Sequence, residues 1–293
     1  MKKKFCRYIL VILCLLLVFA LTACGSEASD TEMTEEPSQA LQTTETTEES
    51  TEPEPVYEKQ TVYLCVREYL QNYEGGNFLK GYTYDEYGRV TEYFQIKDDG
   101  SRGWVNTYSY DENGNNTQIR TDRGRYEMTY DEAGRLLSEV YYYGEECNSE
   151  KYYEYDAEGY VILETRIERY SEEVTYTYEL TYNEDHTEGT VQQFKNGEPN
   201  GTTYETYNAA GQVLTSDVYD PEGNWKSGQT YSYDADGNLL QQGTYSSSET
   251  QADYMTIYTY DENGLLLSKN VDYYYGYLLE YTYEPFEILV RVN

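Results

Sequence analysis

Histidine occurs once in the 293 residues, at His186. A nucleophile–histidine pair or a Cys/His metal cluster needs partners at recognisable spacings, and none surrounds it. Its setting, Asn183-Glu184-Asp185-His186-Thr187, reads as an exposed turn. Of five cysteines, Cys6, Cys14 and Cys24 belong to the first 24 residues. Cys65 and Cys147 remain, and in an exported protein they can form one disulfide or stay as separate thiols. Carboxylates are abundant, with 54 acidic residues against 21 basic ones and a formal net charge of −33. A glycosidase pair is therefore available by residue type. However, the acids recur at one repeated position, whereas a catalytic pair is singular. Asp111-Glu112-Asn113-Gly114-Asn115 and Asp234-Ala235-Asp236-Gly237-Asn238 contain pieces of a calcium loop. Neither extends to the twelve-residue loop with its terminal Glu. The expectation is no enzyme, no cofactor and no metal site.

The remaining residue type able to recognise a ligand is tyrosine, with 39 copies against six Phe and two Trp. A tyrosine presents an apolar ring with a polar tip, so it can build a core or stack on a sugar. Most of these tyrosines belong to a repeat. Residues 258–268 read YTYDENGLLLS, 231–240 read YSYDADGNLL, 128–137 read MTYDEAGRLL and 82–90 read YTYDEYGRV. Tyr-Asx steps start at Tyr84, Tyr110, Tyr130, Tyr155, Tyr182, Tyr207, Tyr233 and Tyr260, with a degenerate step at Tyr283. A period near 25 indicates a repeat architecture.

Each repeat predicts a strand, a tight turn and a returning strand. Tyr and Thr favour a pleated, half-buried surface. The residue before each repeat tyrosine is Thr83, Ser109, Thr129, Glu154, Thr181, Thr206, Ser232, Thr259 or Thr282. Alternation places the tyrosines on one face and these hydroxyls on the other. In Asp-x-x-Gly, the carboxylate caps the backbone two residues on and the Gly supplies positive φ. These turn residues are Asp85 and Gly88, Asp111 and Gly114, Asp131 and Gly134, Asp156 and Gly159, Asn208 and Gly211, Asp234 and Gly237, and Asp261 and Gly264. A three-residue hairpin then sets Tyr84 opposite Val90, Tyr130 opposite Leu136, Tyr155 opposite Val161, Tyr207 opposite Val213, Tyr233 opposite Leu239 and Tyr260 opposite Leu266. One repeat departs: His186 stands where Gly belongs, and Gly189 follows three later, predicting a longer turn. Second turns at Asp98-Asp99-Gly100, Asn196-Gly197 and Asp220-Pro221-Glu222-Gly223 complete a meander of about sixteen to eighteen strands.

The YxYDxxGxL pattern resembles the YD repeat of bacterial RHS-type proteins, over roughly residues 78–284. The resemblance implies an all-β fold of tandem antiparallel hairpins wound into a twisted, spiralled sheet. The large members of that family enclose a cargo domain. This chain has too few repeats for such a shell, so encapsulation is not expected. Aromatic-Gly cell-wall-binding repeats share some vocabulary, but their recurring Gly-Trp pairs are missing.

Residues 1–23 combine a basic start (Lys2, Lys3, Lys4, Arg7) with a short apolar run, which predicts a signal peptide. Leu21-Thr22-Ala23-Cys24 resembles the bacterial lipobox, which implies cleavage before Cys24 and its lipidation. An uncleaved anchor or an ordinary signal peptide is the alternative. Residues 24–55 hold ten acidic and no basic side chains and almost nothing large and apolar. Such a segment cannot bury enough surface to fold and extends by self-repulsion, so it reads as a disordered tether. Residues 56–293 form the β domain. Within it, Val62, Leu64 and Val66 alternate as a strand, Glu74-Gly75-Gly76-Asn77 reads as a hairpin turn, and residues 286–292 as a closing strand. A helix through Tyr63, Val66, Leu70 and Tyr73 is the alternative. Capping strands at the ends of the array are favoured, because a sheet edge must be covered.

The acidic excess opposes nucleic acid and other polyanions. The expected function is a membrane-anchored, non-enzymatic lipoprotein on the exported face, at the cell surface or in the periplasm, with a structural or adhesive role. Its partners are the membrane, through the lipid, and a neutral glycan or another surface protein. A carbohydrate-binding module acting by tyrosine stacking is the alternative, and a glycoside hydrolase a third.

Overall fold

The structure is a computed structural model that describes residues 55–72, 77–169, 171–246, 252–272 and 276–292. The signal peptide, Cys24, the tether up to residue 54, and Glu74-Gly75-Gly76 lie outside them. The described residues form eighteen strands and no helix. These are β1 (Tyr57–Asn72), β2 (Phe78–Tyr84), β3 (Val90–Ile96), β4 (Arg102–Tyr110), β5 (Asn116–Arg120), β6 (Gly124–Tyr130), β7 (Leu136–Tyr143), β8 (Glu146–Tyr155) and β9 (Val161–Arg169). The second half comprises β10 (Glu173–Tyr182), β11 (Glu188–Lys195), β12 (Glu198–Tyr207), β13 (Val213–Tyr219), β14 (Trp225–Tyr233), β15 (Leu239–Tyr245), β16 (Tyr254–Tyr260), β17 (Leu266–Asp272) and β18 (Tyr277–Arg291).

Every strand pairs antiparallel with its sequence neighbours, so local hairpins account for almost the whole topology. All six tyrosine–aliphatic pairs expected from the three-residue turn are present, from Tyr84 opposite Val90 to Tyr260 opposite Leu266. In all six the register shifts at the tyrosine, the mark of a bulge closing the turn. The His186 turn is one residue longer: Tyr182 pairs with Gly189, and the Asn183 N–H reaches the Glu188 carbonyl.

The expectation of a twisted, spiralled sheet with capped ends is corrected by the pairing of β1. Along one edge β1 bonds β18, from Tyr57 opposite Arg291 to Asn72 opposite Tyr277; along the other, Arg67–Leu70 bonds β2. The sheet is a closed eighteen-stranded antiparallel barrel, and the terminal strands are its seam. The helical alternative for residues 63–73 is replaced by β1. Closure removes the edges that caps would have covered.

Eighteen strands about 4.8 Å apart give a perimeter of roughly 90 Å, so opposite walls cannot meet. Among the described residues each strand touches only its bonded neighbours. The barrel therefore has no central packed core. Most buried side chains, including Glu68, Asn106, Met128, Tyr141, Thr203 and Leu279, lie on the tyrosine face. We assign that face to the concave side, where side chains converge. The hydroxyl face is the outer one, and there Thr129–Ser138, Thr206–Thr215 and Thr259–Ser268 pair across strands at 2.7, 2.8 and 2.7 Å.

Gly264 carries the turn between β16 and β17 at φ +77°, and Asn238 of the preceding turn sits 3.6 Å from where a Cβ would be. Gly264→Val should destabilise the domain by roughly 1–2 kcal/mol or more, because β-branched residues resist positive φ. Glu262→Ala in the same turn should stay within about 0.5 kcal/mol. Equal shifts of the two variants in thermal melts would refute this turn geometry.

Candidate functional site

The Asp-x-x-Gly turns form a row along one rim. In the first, Asp85 Oδ1 accepts the Tyr87 and Arg89 N–H groups at 2.9 and 3.0 Å, and Oδ2 accepts Arg89 Nε at 2.7 Å. Gly88 takes φ +77° and donates its N–H to the Asp85 carbonyl. The pattern repeats at Asp111, Asp131, Asp156, Asn208, Asp234 and Asp261, each accepting the N–H four residues on at 2.8–3.0 Å. Gly114, Gly134, Gly159, Gly211, Gly237 and Gly264 all take positive φ. The two segments with calcium-loop vocabulary thus spend their first carboxylate on the turn: Asp111 Oδ2 accepts Asn115 Nδ2 and Asp234 Oδ2 accepts Asn238 Nδ2. These hydrogen bonds hold both carboxyls below the usual Asp range. Among the described residues no three His, Cys, Asp or Glu side chains group as metal ligands.

The repeat tyrosines join one hairpin to the next. At this rim the YD turn links β2 to β3, but nothing in the backbone links β3 to β4. Tyr110, at the end of β4, donates its hydroxyl to the Val90 carbonyl at the start of β3 at 2.8 Å. The same bond runs from Tyr130 to Asn116, Tyr155 to Leu136, Tyr182 to Val161, Tyr233 to Val213, Tyr260 to Leu239 and Tyr283 to Leu266, at 2.8–3.2 Å. At the seam, Tyr84 donates to the Cys65 carbonyl at 2.5 Å. Each accepting residue lies opposite the previous repeat's tyrosine, so the bonds run around the barrel. The break follows the His186 turn: the Tyr207 hydroxyl bonds Glu205 instead, and its ring lies over Gly189. His186 itself takes φ 53° and stacks on Tyr160 at 4.0 Å, which corrects its reading as a merely exposed turn residue. Residues after the turn glycine add contacts between turns: Arg89 lies over the Tyr110 ring, Arg135 over Tyr155, and Gln212 Nε2 donates to the Gly237 carbonyl.

Burial pushes these tyrosine hydroxyls up. Tyr110 is raised to about 12, by burial and then by the Asp85 carboxylate; Tyr260 is raised to about 12, by burial and then by Asp234. Cys65 and Cys147 are separate free thiols. Burial raises the Cys147 thiol to about 11, with the Glu150 carboxylate 3.2 Å away adding to it, so the nucleophilic thiolate is suppressed.

Rings gather twice among the described residues: Tyr160, His186, Tyr182 and Tyr207 at the irregular turn, and a run across β2–β4 on the concave face. Tyr84, Tyr82, Tyr93 and Trp104 follow one another at ring separations of 6.4, 4.8 and 5.3 Å. Beneath them Glu68, 3% exposed, accepts Lys80 Nζ at 2.5 Å, Tyr82 Oη at 3.1 Å and Tyr93 Oη at 3.4 Å. The sequence reading missed this group. Turn counting could have paired Tyr82 with Tyr93, but the register that sets Glu68 opposite Lys80 belongs to the β1–β2 pair, and Trp104 arrives only across a bulged β3–β4 pair. The other tryptophan, Trp225, donates to Asp217 at 3.1 Å on the outer face.

No family profile and no characterised protein sequence matches the chain. A porin-like protein from Bacteroides uniformis aligns with a TM-score of 0.41 at 13% identity, over 75% of this chain and 96% of that one. A porin-like protein from Bacteroides vulgatus gives 0.41 at 10%, over 76% and 99%. The TcdB2-TccC3 complex gives 0.20 at 16%, over 72% of this chain and 15% of that one. No role is transferred from likenesses this distant.

Two outcomes test the tyrosine bonds. Tyr260→Phe should cost about 1 kcal/mol in urea denaturation, the usual net worth of such a hydrogen bond. Tyr63→Phe, on a ring that is 57% exposed, should cost nothing measurable; equal losses would discard the role. Stability should also fall with alkali. Where the folded pKa exceeds the unfolded value near 10, the folded state holds more protons, so the contribution is complete below about pH 10 and is lost as pH rises towards 12. Tyrosinate absorbance followed together with circular dichroism checks this; full ionisation near pH 10 with the fold intact would refute it.

Proposed function

We propose that the chain is a lipid-anchored, non-enzymatic interaction scaffold on the exported face of a bacterial membrane. The observation that carries this reading is where the repeat spends its side chains. Seven turn acids or amides and eight tyrosine hydroxyls are engaged in building the wall itself. A wall of this kind offers a rigid surface with regularly repeated features, the property a structural or adhesive protein uses. The leader and Leu21-Thr22-Ala23-Cys24 supply the anchor in this reading, and the acidic tether holds the barrel off the anionic lipid surface.

The same wall argues for water on both of its faces. A membrane-spanning barrel needs an outward apolar band about 25 Å tall. Here the outer face carries Glu92, Arg102, Glu127, Glu150 and Glu179 among its Thr and Ser residues, and the inner face carries Glu139, Lys151, Glu164 and Arg166. In this proposal the membrane is reached through the lipid on Cys24.

The second reading, a carbohydrate-binding module, is favoured by the aromatic run from Tyr84 to Trp104. The first reading is tested by labelled-lipid incorporation and membrane fractionation. Cys24→Ser should abolish both lipid uptake and sedimentation with membranes. Lipid uptake by the variant, or its absence from the wild type, overturns the anchor.

A further inference from the structure

We infer that Tyr82, Tyr93, Trp104 and Asn106 form a binding subsite for a neutral saccharide on the concave face of β2–β4; this rests on the carbohydrate-binding reading above. Asn106 pairs in register with Tyr93, and Trp104 lies two residues before it on the same face. Asn106 is 7% exposed, yet its amide makes no hydrogen bond among the described residues. A buried amide normally has a partner, because leaving it without one costs the desolvation of both its polar ends. The amide is not sealed either, so a ligand hydroxyl can reach it. The Trp104 indole N–H is likewise without an acceptor among the described residues, whereas that of Trp225 is held by Asp217.

The surroundings select the ligand class. Tyr93 meets Tyr82 at 4.8 Å with the rings tilted 32°, and Trp104 stands at 62° to Tyr93 at 5.3 Å. Rings at changing angles present faces and edges in turn rather than a flat stack. Pyranose rings present apolar C–H faces to such rings and hydroxyls to the groups between them. Glu68 accepts both phenol hydrogens, which fixes the two rings against the carboxylate. The only charges in the cluster are Glu68 and Lys80, and they neutralise each other at 2.5 Å. An anionic ligand would find no free cation here and would meet the acidic field of the whole chain. The asymmetry of the site supports a dedicated role, since the tyrosines at the equivalent positions of other repeats lie opposite Ile119, Glu164, Gln242 and Lys269 rather than an aromatic ring.

The experiment is calorimetric and tryptophan-fluorescence titration of the full-length chain. The probes are short and long oligosaccharides of glucose, N-acetylglucosamine and xylose, with dextran sulfate as polyanion. Saturable binding of a neutral oligosaccharide is expected, weakened at least about tenfold by Trp104→Ala, whose ring would otherwise stack. Asn106→Leu keeps the side-chain volume, removes the amide and should weaken binding similarly. Trp225→Phe should leave it within about twofold, since that ring lies on the outer face. Melting temperatures confirm that each variant is folded, and Asn106→Leu carries the test if Trp104→Ala is not. Neutral-oligosaccharide binding untouched by both variants overturns this subsite while leaving the carbohydrate reading in place. No saturable neutral-oligosaccharide binding by the wild type, or binding of dextran sulfate alone, overturns both.

Discussion

A tyrosine hydroxyl bonded to a carbonyl of the neighbouring hairpin is the contact on which the barrel depends. Each YD turn closes its own hairpin, but adjacent hairpins are free to splay at that rim. Tyr110 to Val90, and its equivalents around to Tyr84 and Cys65, tie them together. A bond of this kind is worth about 1 kcal/mol net, so a single one decides nothing. Eight of them, repeated at every hairpin but one, fix the tilt of each hairpin on the next. In a wall without a central core this substitutes for packing across layers. It also explains the composition: Phe offers the same ring without the bond, and Phe is rare here.

The turn and the tyrosine form one device. Asp85 fixes the turn, Gly88 lets the chain reverse, Arg89 leans over Tyr110, and Tyr110 bonds back to Val90. The glycine is needed both for its positive φ and because side chains of a neighbouring turn pass close by: Asn115 comes within 3.4 Å of a Cβ placed at Gly134. Where Gly is replaced by His186, the imidazole takes over the inter-turn contact by stacking on Tyr160, and the next tyrosine loses its carbonyl. The barrel tolerates this one irregularity because its neighbours on both sides are regular and closure leaves no free edge to unravel from.

The charge distribution separates two tasks. The chain as a whole is strongly acidic, with a formal net charge of −33, a field that opposes polyanions. On the concave face some ionised groups come in matched pairs, Glu68 with Lys80 and Glu139 with Lys151, while Glu205 accepts the Tyr207 and Ser216 hydroxyls. The inner wall is also rich in half-exposed rings. Among the described residues, the Asn106 amide and the Trp104 indole N–H stand without hydrogen-bond partners beside the Tyr82–Tyr93–Trp104 rings.

The sequence by itself determined the hairpins. The Asp-x-x-Gly spacing dictates the turn, the turn dictates that Tyr84 faces Val90, and alternation separates a tyrosine face from a hydroxyl face. All of this is local, decided within about ten residues, and so it is legible. The address remains a proposal resting on the leader and the motif Leu21-Thr22-Ala23-Cys24, which lie outside the described residues. Tertiary structure alone decided closure, because whether an eighteenth strand meets the first depends on twist and tilt summed over every repeat, which no single repeat encodes. It also decided what the tyrosine hydroxyls bond, since their carbonyl partners lie 14 to 21 residues away in the chain. The Tyr82–Tyr93–Trp104 group is legible only in part: turn counting sets Tyr82 opposite Tyr93, but the β1–β2 register decides that Glu68 lies opposite Lys80, and the bulged β3–β4 pair decides that Trp104 joins them.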